Sequence, residues 1–135
     1  MTIILKKVFA ALALLILVCS VPAFGETIRC AECGMMVDLS SNFSSKLVRG
    51  DDTRYFCDIG DMFSYLNRKG PKDAGVEVKD FATGEWIDAR KASYVHAGNK
   101  FKTPMGWGLA AFKDKTSAAA FGSVMDFEGT AKALK

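Results

Sequence analysis

The chain has 135 residues, half of them hydrophobic, and its 18 basic and 15 acidic side chains give a formal net charge of +3. So small a positive excess does not provide the basic surface that nucleic-acid binding requires, and we expect no nucleic-acid partner. The length suits one compact domain and not two independent ones.

The N-terminal segment, residues 1–25, has the pattern of a secretory signal peptide. Lys6 and Lys7 make its start positive, and residues 8–18 form an unbroken apolar run, shorter than the roughly 20 residues that span a bilayer. Small residues follow this run, and we expect cleavage after Gly25. Such a leader implies export, most simply to a bacterial periplasm.

Cys19 offers a second interpretation of the leader, because it stands where the acylated cysteine of a lipoprotein would stand. Lipoprotein processing requires a small residue before that cysteine, and Val18 occupies this position. The pattern therefore favours ordinary cleavage over lipidation and membrane tethering, with an uncleaved helical anchor as a third alternative. In the favoured case, residues 26–135 form the mature domain.

The first half of the mature chain predicts a β-hairpin followed by a helix. Alternating segments at 43–48 and 53–57 are joined by the turn sequence RGDD. Asp58 is placed to cap a helix that Gly70 and Pro71 terminate. The apolar face of this helix comprises Ile59, Met62, Phe63 and Leu66, so Met62 is expected to be a core residue.

The second half predicts a similar order of elements. The expected strands are 75–81, 86–89, 92–97 and 107–112, with a loop over 98–106 and a last short helix over 117–125 that Thr116 caps. The two halves share the order strand, strand, capped helix, strand. This order predicts an α+β fold with two related ββαβ units in one compact domain, unless the likeness is a coincidence between two amphipathic helices.

The sequence CAECGMM near the mature N-terminus concentrates soft donors. Cys30 and Cys33 are separated by two residues, and Gly34 lets the backbone turn so that Met35 can approach them. Thiolates and thioethers suit Cu(I) far better than Mg²⁺ or Ca²⁺. The cluster therefore predicts a site for a soft, monovalent metal.

Other uses of these cysteines remain open. A closed zinc site needs four ligands, and only Cys57 and His96 are available to complete one. A redox disulfide of the C-x-x-C type opens a helix, which the residues after Cys33 do not predict. Covalent c-type haem is excluded, because Gly34 stands where the histidine of C-x-x-C-H is required.

Three residues further along the chain are candidates to complete the metal site. Met105 lies in a loop between a proline and a glycine, where an apolar side chain is expected to meet a partner or a metal. His96 lies in an alternating strand, where histidine is more often structural, although imidazole suits copper. Cys57 ends a strand and could be a buried thiol, a ligand or a disulfide partner of Cys30 or Cys33.

Four ordered motifs over residues 28–122 resemble the NosL family of copper-binding accessory proteins for nitrous oxide reductase. They are CAECGMM, RYFCDIGDMFSYL, WIDARKASYV and TPMGWGLAAF. The resemblance implies an α+β fold of two ββαβ units, similar to part of organomercurial lyase. It also implies that Cys33 and Met35 form the core of a copper site, with Cys30 upstream and Met105 from the later loop.

The leading hypothesis is therefore an exported Cu(I) metallochaperone, not an enzyme, that delivers copper to a cuproenzyme such as nitrous oxide reductase or to a membrane assembly complex. The predicted ligands are Cys30, Cys33, Met35, Cys57, His96 and Met105. One alternative is a thiol enzyme, such as a disulfide oxidoreductase, that uses the three mature cysteines. The other is a structural module stapled by one disulfide, in which the two adjacent methionines only pack.

Overall fold

The computed structural model describes residues 25–135, so the predicted leader up to residue 24, with Cys19, lies outside the described residues. In this range the elements are β1 Ser45–Arg49, β2 Asp52–Phe56, α1 Ile59–Lys69, β3 Gly75–Lys79, β4 Trp86–Asp88, β5 Ser93–His96, β6 Leu109–Phe112, α2 Lys115–Ala119, β7 Val124–Met125 and α3 Phe127–Ala133. Within residues 25–135, no helix has the length and apolar character needed to cross a membrane.

Two antiparallel sheets confirm the predicted pair of ββαβ units. The first has the strand order β2-β1-β3-β4 and the second β6-β5-β7. In each unit a hairpin leads into a helix, and the next strand returns to pair with the free side of the first strand. The two units therefore share one topology. Strand β4 pairs with β3 and adds an edge strand to the first sheet.

Helix α1 has the sequence features that the pattern predicted. The side chain of Asp58 accepts a hydrogen bond from Gly60 N and caps the helix, and Gly70 ends it. The side chains of Ile59, Met62 and Phe63 are fully buried, which confirms Met62 as a core residue. The hairpin before the helix is also confirmed.

The prediction for the C-terminal helix was wrong in its cap and its length. Asp114, not Thr116, caps α2 by accepting hydrogen bonds from Thr116 N and Ser117 N, and the helix ends at Ala119. Val124 and Met125 instead form β7 and pair with β5. A returning strand satisfies its backbone through the sheet, a long-range gain that outweighs the weak helical pattern around Gly122.

The core is shared by the two units. Phe63 of α1 lies 5.3 Å from Tyr94 of β5 and 5.0 Å from Phe127 of α3, measured between ring centroids. Val95 and Phe112 belong to a second apolar cluster, on the opposite face of the second sheet because side chains alternate along a strand. Helix α1 therefore packs against elements of both units.

Candidate metal centre

The C-x-x-C motif forms a tight turn before the first sheet. Cys30 N donates to Met35 O at 2.8 Å and Gly34 N donates to Cys30 O at 2.9 Å. Gly34 has a φ of 78°, in the left-handed region that glycine adopts without strain. Arg29 and Met36 form a single antiparallel bridge at the base of the turn. The motif therefore does not open a helix, as a thioredoxin-like site would.

Contacts with the first unit hold this turn in place. Ala31 N donates to Tyr55 O at 2.9 Å, along the free edge of β2. The carboxylate of Glu32 accepts a hydrogen bond from Ser64 Oγ at 2.9 Å and forms an ion pair with Arg68, both on α1. The turn is thus fixed against the strand and the helix between which Cys57 lies.

Three thiols and one carboxylate converge at this point. Cys57 follows β2, and Asp61 stands four residues later in the first turn of α1. The sulfur atoms of Cys33 and Cys57 are 3.4 Å apart. The three Sγ atoms of Cys30, Cys33 and Cys57 and an oxygen of Asp61 all lie within 4.8 Å of one another, so one metal ion could contact all four.

The cluster is largely enclosed, and burial favours the protonated form of two of its thiols, Cys33 and Cys57. Cys30 and Cys57 are buried, and Cys33 is half-buried. Burial raises the pKa of Cys57, and its hydrogen bond with Cys33 adds to the increase. Burial also raises the pKa of Cys33, although a backbone hydrogen bond from Met35 opposes the increase. A metal ion that binds here must displace protons from these thiols.

The β5–β6 connection of the second unit docks on the N-terminus of α1. We call residues 103–108 the docking loop. Met105 N donates to Asp58 Oδ2 at 3.0 Å, and Trp107 Nε1 donates to Asp61 Oδ1 at 2.8 Å. The indole lies directly on Gly60, where the Cβ of any larger residue would fall only 2.0 Å from Trp107 Cγ. Docking of the loop therefore requires glycine at position 60 of α1.

The structure brings together some of the predicted ligands. Cys30, Cys33 and Cys57 meet in the cluster. Met35 belongs to the cysteine turn and Met105 to the docking loop, and 48% and 42% of their surfaces are exposed. His96 ends β5 with an exposed side chain and does not belong to the group of four.

Asp61 and Trp107 are residues of this centre that sequence reasoning missed. Asp61 was not among the predicted ligands. A signal was present, because Asp61 follows Cys57 by four residues across the start of a helix, a spacing that brings side chains together on one face. For Trp107 the sequence held no comparable signal, since its partner is 46 residues away.

Replacing Gly60 by alanine is expected to dislodge Trp107 and to destabilise the protein by about 1–3 kcal/mol, the usual cost of overpacking. The sign is diagnostic, because the same change in an open helix position stabilises by about 1 kcal/mol. Denaturant unfolding gives the stability, and tryptophan emission should shift to the red as the indole becomes hydrated. A Gly98→Ala control has open space for its Cβ and should stay within about 0.5 kcal/mol of the parent; a stabilised Gly60→Ala variant would contradict the docking.

The fold and this centre define a small α+β protein with a sulfur-rich cluster that could hold a metal ion. Residues 21–133 match the sequence model of the NosL family. The chain therefore belongs to the NosL family.

A solved structure shows the same fold. The crystal structure of the copper chaperone NosL from Shewanella denitrificans aligns with a TM-score of 0.62 and 23% sequence identity, covering 74% of this chain and 87% of that one. At this identity the likeness establishes the fold. No curated protein matches the chain in sequence.

Proposed function

We propose that this protein is a Cu(I) metallochaperone that acts outside the cytoplasm and delivers copper to a cuproenzyme or to its assembly machinery. The observation that carries the proposal is the convergence of three thiols within 4.8 Å. Thiolates are the preferred donors of Cu(I), and the chain's family includes a protein described as a copper chaperone. The client, such as nitrous oxide reductase, and the periplasmic location are implied by the family resemblance and by the leader pattern.

The distribution of donors supports a carrier role. Cys30 and Cys57 are buried, Cys33 is half-buried, and Met35 and Met105 are exposed. An incoming donor from a partner can therefore reach the metal from the side of Cys33 without unfolding the centre. Copper would leave by stepwise exchange, each partner sulfur replacing one ligand of the carrier.

Zinc is the competing cargo, because Asp61 provides a fourth donor. A site of three cysteines and one carboxylate has the ligand number and donor types that a structural zinc ion accepts. Cu(I) is favoured because its low coordination number needs only the thiols, and because the further candidate donors, Met35 and Met105, are thioethers, which bind Zn²⁺ poorly. Competition between the two ions distinguishes the cargoes.

The proposal is tested by anaerobic Cu(I) titration against a chromophoric Cu(I) chelator, with Zn²⁺ added in parallel. We expect one Cu(I) per chain and no displacement by equimolar Zn²⁺. The double variant Cys33→Ala with Met35→Ala should lose this retention, whereas Met36→Ala, which removes a neighbouring methionine that is 68% exposed, should keep it. Full retention in the double variant, or preferential retention of Zn²⁺, would refute the proposal.

A thiol enzyme is the second candidate, because the sulfur atoms of Cys33 and Cys57 are 3.4 Å apart as free thiols. A disulfide oxidoreductase needs at least one thiol of lowered pKa, and burial raises the pKa of both. The environment therefore favours metal binding over thiol–disulfide exchange. Free thiols and bound metal counted by mass spectrometry of the isolated protein distinguish the two functions.

A further inference from the structure

Asp61 contacts both halves of the molecule at the candidate centre. Its Oδ2 atom lies 3.5 Å from Cys30 Sγ and 3.7 Å from Cys57 Sγ, so it accepts hydrogen bonds from both buried thiols. Its Oδ1 atom accepts the indole N–H of Trp107 at 2.8 Å. The carboxylate is only 3% exposed, so protein groups and not bulk water fix its orientation.

Trp107 reaches Asp61 from the other unit through a loop that is itself tied down. Gly108 N donates to Thr103 Oγ1 at 3.1 Å and closes the base of the docking loop. Met105 N is bound to the buried carboxylate of Asp58, so the loop has two attachments on α1. The other attachment is the bond from Trp107 to Asp61, the residue that accepts hydrogen bonds from the two buried thiols.

We propose that Asp61 and Trp107 form a positioning pair that couples closure of the docking loop to the arrangement of the thiol cluster. With the indole N–H on Oδ1, the other oxygen faces Cys30 and Cys57 and holds their sulfur atoms together. The same bond keeps the docking loop, with Met105, against the centre. Opening the loop frees the carboxylate to rotate, and a disordered cluster in turn weakens the hold on the loop.

This pair has a consequence for copper transfer, and that consequence rests on the proposed function. A closed docking loop keeps Trp107 on Asp61, beside the thiols, and slows the loss of Cu(I). A partner that displaces the loop would loosen the thiol cluster in the same step. Asp61 and Trp107 therefore set the rate at which cargo leaves, while the thiols set whether it binds.

The metal-free protein gives the first test, through the rate at which N-ethylmaleimide modifies each cysteine, measured by peptide mass spectrometry. Trp107→Phe keeps a ring on Gly60 and removes only the N–H donor. We expect about tenfold faster modification of Cys30 and Cys57, which corresponds to about 1.4 kcal/mol and is near the lower end for a hydrogen bond to a charged group. Asp61→Asn, whose amide N–H₂ cannot accept from a thiol, should do the same.

A general loss of stability must be separated from this local effect. Tyr94→Phe is the matched control, because it removes a buried hydrogen bond of 2.6 Å to Ala89 O without touching the pair. It should leave the modification rates of Cys30 and Cys57 unchanged. Equal rates in Trp107→Phe and the parent protein, or an equal increase in Tyr94→Phe, would overturn the proposal.

The loaded protein gives the second test, through the rate of Cu(I) loss to a chelator. Asp61→Ala, which removes the acceptor of the indole N–H, and Trp107→Phe should each accelerate the loss about tenfold. The double variant should lose copper no faster than the faster-releasing single one, because two residues that act through each other are not additive. Additive acceleration would show independent roles and refute the pair. If the parent protein binds no Cu(I), the proposed function fails, while the modification rates still decide the pairing.

Fluorescence provides a direct signal of loop closure. The chain has two tryptophans, and Trp86 lies between Lys46 and Lys79, whose amines are 4.4 and 4.6 Å from its ring. A Trp86→Phe variant therefore leaves Trp107 as the sole reporter. The emission of Trp107 should change on addition of Cu(I). An emission spectrum that is unchanged at saturating Cu(I) would contradict the coupling.

Discussion

Replacing Cys57 by serine is expected to weaken Cu(I) binding by at least about 100-fold, beyond the 10–100-fold typical of changes outside the ligand shell. Cys57 Sγ is buried and lies 3.4 Å from Cys33 Sγ, so it is placed to bridge the cysteine turn and the helix. A serine hydroxyl is nearly isosteric but is a hard, neutral donor that Cu(I) does not favour. Chelator competition at fixed pH measures the change.

The pH dependence of binding provides a second signature of the same variant. Burial raises the pKa of both Cys33 and Cys57, so below those pKa values each thiol releases a proton when copper binds. The apparent affinity of the parent should therefore rise with pH by up to about tenfold per unit for each such thiol. Cys57→Ser should lower this slope by about one factor of ten in affinity per pH unit. If slope and affinity were both unchanged, Cys57 would not be a copper ligand.

Much of the fold could be predicted because its signals are local. The strand and helix periodicities around the first hairpin and α1 involve residues a few positions apart, and the Asp58 cap bonds Gly60 only two residues on. The matching order of the two halves was also visible in the sequence. These features need no knowledge of which elements pack together.

The centre was only partly predictable, because its parts come from distant segments. The two-residue spacing of Cys30 and Cys33 predicted their proximity, but for Cys57 the sequence allowed a ligand, a buried thiol or a disulfide partner. Its position follows from the pairing of Ala31 with Tyr55, a contact that no local pattern encodes. Proximity of the third thiol is therefore a product of tertiary structure.

The contacts of the docking loop were even less predictable from the sequence. Met105 was predicted as a functional residue from its loop setting, yet its backbone N–H, bonded to Asp58, supplies the observed contact. Trp107 resembles an ordinary strand residue in the sequence. Only the absence of a side chain at Gly60 hints that a large group approaches there, and the sequence does not say which one.

Replacing Asp58 by alanine is expected to lower the free energy of unfolding by about 2–4 kcal/mol, since two separate interactions are lost. The helix cap on Gly60 N contributes about 1 kcal/mol, and leaving the N–H of Met105 without a partner costs about a further 1–3 kcal/mol. Asp58 is fully buried, so water does not readily replace either bond. Urea unfolding followed by circular dichroism measures the loss.

Asp114→Ala is the matched control, because Asp114 also caps a helix through its side chain but is exposed and binds only Thr116 N and the backbone and hydroxyl of Ser117 in its own helix. Its loss should cost about 0.5–2 kcal/mol, the range for a cap alone. The excess cost at Asp58 then measures the attachment of the docking loop. Equal losses in the two variants would mean that the bond from Met105 N contributes nothing, and that the loop is held by Trp107 alone.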